Sequence, residues 1–205
     1  MSTSACDQFL WPVDATPPEP VFRVSVSQYH EMSQAGILRE EDRVELLDGW
    51  LVRKMVIKPA HATVTELVSD AIRDLLPTGW CVRSQQPLSL ATSEPEPDVA
   101  IVCGNRLRYA DRHPTAAEVA LVVEVAEATL QRDRTTKQQI YAAAGIPVYW
   151  IVNLIEQRLE ILSDPTGPSA APQYRRRQDY LSADSVLVDI GGHSLGPMQV
   201  AGLMV

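Results

Sequence analysis

Cysteine is scarce: three in 205 residues, standing alone at Cys6, Cys81 and Cys103. No CxxC pair exists, so neither a zinc site nor a disulfide framework is indicated, and a reduced cytoplasmic setting is expected. No stretch is long and apolar enough to span a membrane. Met1 to Pro12 lacks the basic start and apolar run of a secretory signal. Positive charge is in deficit: 18 Lys and Arg against 26 Asp and Glu leave a net charge of −8. Phosphate binding rewards the opposite balance, although a local patch suffices. No Ser/His/Asp or Cys/His grouping stands out, which leaves a metal-free nucleophilic hydrolase without support. No internal repeat is visible.

The patterning divides the chain into a tail and a body. Residues Met1 to Pro20 are rich in proline, serine and threonine and show no periodicity, as expected of a disordered arm. Residues 21–205 are long enough for one ordinary domain. Val21 to Val26 alternates as a short strand would, and Ser27 is placed as the cap of a helix stopped at Gly36. Arg43 to Val52 reads as a hairpin turning at Asp48-Gly49. Val64, Leu67, Val68, Ala71, Ile72 and Leu75 recur at helical spacing within Ala62 to Leu76.

Strands are expected over Trp80–Leu90, with a break near Pro87, and over Asp98–Val102 and Ala120–Ala126. A helix over Arg132–Ala144 ends at Gly145 and Pro147, and Val148–Val152 follows as another strand. Strand, helix and strand make a βαβ crossover, which requires the two strands to be parallel. Arg158–Leu162 continues as a hairpin, and Gln173–Arg177 and Val186–Ile190 read as late edge strands. The fold class is α/β, a mixed sheet flanked by helices with additional C-terminal strands.

One acid in this pattern is expensive. Glu124 lies among Val122, Val123 and Val125, and a carboxylate in an apolar strand needs a partner or a metal. Asp98 ends the turn Pro95-Glu96-Pro97 and opens a second apolar run. Two strands each offering one acid to a common point can hold a hard cation such as magnesium. Ala126 shares a strand face with Glu124 and leaves room there for Lys137 from the following helix. That lysine could orient water and stabilise charge on phosphate oxygens.

The residues alone leave other readings open. Asp133 and Lys137 have the spacing of a helix-surface ion pair. Asp98 could be a turn residue, and Glu124 could sit on a half-exposed strand. Glu45 could be a third acid or an exposed strand position. His61 is placed for a cap or surface role, and Tyr141 for either the pocket or the core. Arginines cluster at Arg106, Arg108 and Arg112, at Arg132 and Arg134, and at Arg175 to Arg177, each compatible with a solvated face.

Taken in order, Glu45-Leu46-Leu47-Asp48-Gly49, His61, Pro97-Asp98-Val99, Leu121 to Val125, Asp133 with Lys137 and Tyr141, and Gly145 to Val152 resemble the Uma-two family. That family consists of restriction-endonuclease-like proteins of the PD-(D/E)XK nuclease superfamily. The likeness runs from about Val21 to the C-terminus. It implies a restriction-endonuclease-like mixed sheet and a metal-dependent endonuclease acting on DNA. It implies that Asp98 and Glu124 bind Mg2+ or Mn2+, that Lys137 is the lysine moved from strand to helix, and that Glu45 is an additional acid. One departure is the run Ala126-Glu127-Ala128-Thr129, where many members carry a Ser-Pro step. A homodimer would supply two sites for two strands. The alternative is a non-catalytic nucleic-acid-binding or interaction module on the same fold.

Overall fold

All eight residues of the strand Val119–Ala126 are buried, because both faces of the sheet containing it are covered. The computed structural model describes residues 20–204, so the expected disordered arm lies almost wholly outside the described residues. In chain order the elements are α1 (Val26–Gln34), β1 (Val44–Leu47), β2 (Trp50–Arg53), α2 (Pro59–Arg73), β3 (Trp80–Ser84), β4 (Val99–Cys103) and β5 (Val119–Ala126). A continuous helical run follows: α3 (Leu130–Arg132), a π-helical segment (Asp133–Lys137) and α4 (Gln138–Ala143). Then come β6 (Val148–Asn153), β7 (Arg158–Pro165), β8 (Tyr174–Leu181), β9 (Ser185–Ile190) and β10 (His193–Gln199).

The central sheet has six strands in the order β3-β4-β5-β6-β7-β8. Only β5 and β6 are parallel, joined by the expected helical crossover; the other neighbours are antiparallel. Alternation along β5 separates two cores. Leu121, Val123 and Val125 face α2, through Val64, Val68 and Ile72, with Val186 and Val188 of β9. Val122 and Ala126 face α4, through Tyr141 and Ala142, with Ile146 and Tyr149. Glu124 falls on the second face by the same period of two.

The hairpin turns where the sequence places it. Asp48 and Gly49 both adopt positive φ, 46° and 76°, the backbone of a two-residue turn that matches strand twist. A Cβ on Gly49 would lie 2.7 Å from Arg23 Cβ, so packing as well as conformation requires glycine there.

Several expectations are corrected. Val21–Val26 is not a strand; helix α1 begins at Val26, capped by Ser25 rather than Ser27, because Gln28 at the third helical position reaches back to close a capping box with Ser25. Strand β3 ends at Ser84, since Gln85 adopts φ 51° and leaves the ladder. The polar stretch after Gly104 holds two 3-10 turns, Arg106–Tyr109 and Ala116–Glu118. β8 is indeed an edge of the main sheet, but β9 pairs with β10 in a separate two-stranded sheet.

Candidate functional site

The register of β4 against β5 brings the two acids together. Val99 pairs with Val123 in the antiparallel ladder, so one step outward Asp98 stands across from Glu124 on the same face. Asp98 Oδ2 accepts the Val125 N–H at 2.8 Å, which locks the end of one strand to the other. Glu124 is 3% exposed, which removes the half-exposed reading.

The helical crossover delivers the cation. Lys137 Nζ donates to Glu124 Oε1 at 2.8 Å and lies 3.7 Å from Glu45 Oε2. Tyr141 OH donates to the same Glu124 oxygen at 2.7 Å. Lys137 and Asp133 do not form the helix-surface pair that their spacing suggested: both are buried, and both line the same cleft. The segment between them is π-helical, a distortion common at functional sites. Its outward side is anchored by Arg134, which pairs with Glu156 and Glu160. Glu160, fully buried on β7, also receives Asn153 Nδ2 at 2.8 Å and lies 3.1 Å from Arg177.

Glu45 is buried at the end of β1 rather than exposed. Its Oε2 accepts the Glu96 N–H at 3.2 Å, joining the hairpin to the turn that carries Asp98. Arg132 approaches its other oxygen at 3.9 Å. All four predicted site residues, Glu45, Asp98, Glu124 and Lys137, therefore line one cleft.

Two further residues belong there. His61 is not a cap: it sits in the first turn of α2 with Nε2 3.1 Å from Asp98 Oδ2. Asp133 is 1% exposed, and neither of its carboxylate oxygens has a hydrogen-bond partner. Nothing periodic marks either residue in the sequence.

Charge is unevenly distributed over these groups. Burial pushes Glu124 up to about 8; Lys137 opposes the shift, while Asp98 and Asp133 add to it. Asp133 is likewise raised, chiefly by burial. Burial works against the Lys137 ammonium, but Glu124, Glu45 and Asp133 together outweigh it and raise its pKa. For His61, burial is outweighed by the hydrogen bond and charge of Asp98, and its pKa rises.

The donor set suits a hard cation. Hydrogen bonds fall on Oε1 of Glu124 and Oδ2 of Asp98, which leaves each acid a second oxygen, and Asp133 offers two buried oxygens without partners. Among the described residues no three His, Cys, Asp or Glu side chains form a ready-made cage. That arrangement fits an ion that keeps several waters and takes one or two carboxylates with substrate phosphate.

The arginine clusters are largely committed elsewhere. Arg108 and Arg112 clamp Glu118 at 2.8 and 2.6 Å, and Arg177 is held by Asp179 and Glu160. Only Arg132 of the three clusters lines the cleft. No described helix is long and apolar enough to cross a membrane.

Comparison with known proteins bears on the family and the fold. The Uma2 family model, described as "Putative restriction endonuclease", matches residues 26–193. No curated protein matches. A solved structure, a "putative nuclease belonging to DUF820" from Anabaena variabilis ATCC 29413, superposes with a TM-score of 0.63. It is 11% identical, and the match covers 88% of this chain and 97% of the other. At that identity the likeness shows a shared fold.

Proposed function

We propose that this chain, which belongs to the Uma2 family described as "Putative restriction endonuclease", is a metal-dependent endonuclease hydrolysing DNA phosphodiester bonds. The observation that carries this reading is the convergence of Asp98, Glu124 and Lys137 at one sheet end, from two strands and a helix distant in sequence. Asp98 and Glu124 would hold magnesium or manganese, and Asp133 adds oxygens nearby. When bound, such an ion acidifies water and neutralises charge on the phosphate.

The chain's own groups have separable roles. Lys137 is the buried cation nearest the acids; its ammonium is placed to orient the attacking water and to stabilise charge on the non-bridging oxygens. Glu45 and Glu124 hold that ammonium from two sides. Tyr141 fixes the Glu124 carboxylate by its hydrogen bond. His61 holds Asp98 from the opposite wall. A homodimer would place two such sites on one duplex.

The test is cleavage of plasmid DNA by purified protein with manganese and with EDTA. We expect cutting only with the ion, and a loss of about 100-fold or more in Lys137→Met, the scale of removing one group that stabilises transition-state charge. Undiminished cutting by that variant would overturn the assignment of Lys137, and equal cutting in EDTA would overturn the metal.

A further inference from the structure

The loop joining β2 to α2 reads Lys54-Met55-Val56-Ile57-Lys58 and forms one wall of the cleft. Its three central side chains are 51%, 77% and 44% exposed. A run of consecutive exposed apolar residues is costly to solubility and is retained where it has a use. The two lysines pin the loop at both ends. Lys54 Nζ meets Glu96 at 2.7 Å, two residues before Asp98, and Lys58 Nζ meets Glu127 at 2.7 Å, three residues after Glu124. The apolar tip is thereby tied across the mouth to the turn that leads into Asp98 and to the segment that leaves β5 after Glu124.

Charge around the tip selects the occupant. The mouth carries Arg43, Lys54, Lys58 and Arg132 together with Glu96 and Glu127, the partners of the two lysines, while the floor carries the buried acids. Four cations on this rim outnumber its two acids, and a backbone phosphate can take the place of either carboxylate on its lysine, so a polyanion finds a local patch here despite the net charge of the chain. Met, Val and Ile offer no hydrogen bond to a base edge and no aromatic face on which a free single strand could stack. They match the apolar wedges that enter between base steps and unstack them.

We propose that Met55, Val56 and Ile57 form a wedge that opens a base step at the cleft mouth, so that the substrate is duplex DNA interrupted by a nick, gap or branch. Unstacking costs least at such a discontinuity. The lysines on either side exchange Glu96 and Glu127 for backbone phosphates as the DNA seats. The inference deepens the nuclease reading and rests on it for the chemistry, but the wedge acts in binding and is measurable without cleavage.

The test uses full-length protein and duplexes carrying 2-aminopurine beside a nick, with uninterrupted duplexes as controls, in EDTA. Binding of the unaltered protein should brighten the probe at the nick. The double variant Val56→Ser, Ile57→Ser, altered at exposed positions that leave the core untouched, should brighten it little. Its preference for nicked over intact duplex should fall about tenfold, the worth of burying one such side chain. Unchanged brightening by the variant overturns the wedge. Manganese-dependent cleavage without brightening overturns the wedge and leaves the nuclease standing. Brightening lost in the variant, with no cleavage under any condition, upholds the wedge and removes the nuclease. Failure to bind any of these duplexes overturns the wedge outright.

Discussion

Replacing Glu124 by glutamine should stabilise the metal-free protein. The side chain is buried, its pKa is pushed up to about 8 by loss of hydration, and the neighbouring acids Asp98 and Asp133 push the same way. An unfolded glutamate ionises near ~4.3. A carboxyl whose folded pKa exceeds its unfolded value contributes fully to stability below about pH 4 and loses that contribution as pH climbs toward 8. At pH 7 the unfolded chain is ionised and the folded one is still largely protonated. The difference spans almost three units at ~1.4 kcal/mol each, or about 4 kcal/mol. Glutamine stands in for the protonated acid and still accepts from Lys137 and Tyr141, so the variant should recover about that amount. Urea unfolding in EDTA should show its midpoint raised by about 1–2 M at pH 7, with the gap closing near pH 4. Manganese should stabilise the unaltered protein and leave the variant unmoved. A variant less stable than the parent at pH 7 would refute the reasoning. It would mean that Glu124 is ionised in the folded state and held by Lys137 as a structural ion pair.

Other outcomes follow from contacts already described. Tyr141→Phe should cost about 1 kcal/mol in urea unfolding and lower kcat more than it raises KM, because it frees the Glu124 carboxylate without touching substrate. Glu160→Ala should destabilise by about 1–3 kcal/mol, since buried Asn153 loses its acceptor while Arg134 keeps Glu156 and Arg177 keeps Asp179; calorimetry at neutral pH measures it. Gly49→Ala should lower the melting temperature, with a loss of about 1–3 kcal/mol from positive φ and the clash with Arg23.

Local chemistry made much of the fold legible. The Asp48-Gly49 turn, the βαβ crossover and the acid in β5 are each announced by a single strong physical preference, and each stands where that preference puts it. β10 was illegible because Gly196 and Pro197 read as strand breakers. The strand tolerates them through a register shift between Leu195 and Pro197. In the cleft, Glu124 and Lys137 were legible from burial cost and from the small side chain of Ala126. Asp133 was not, because its spacing from Lys137 imitates a surface ion pair, and only the packing of the crossover against the sheet shows that both side chains point inward. His61 carries no pattern at all; its role depends on where the start of α2 lands relative to Asp98.

The π-helical segment has a consequence for how such chains tolerate insertion and deletion. A π turn carries one residue more than the α turn it replaces, and each helical residue is worth about 100° of rotation. Deleting Thr135 or Thr136 would let the segment close into α-helix with both halves keeping their facing, so that Lys137 and Tyr141 stay aimed at Glu124 and Arg134 stays on Glu160. Without the wider turn, the same extra residue would rotate one half by about a third of a circle and carry Asp133 out of the cleft. The π turn thus absorbs one residue without changing which side chains face inward. Chains that lack that residue should keep the same acids in the cleft, with the spacing between them along the helix shortened by one.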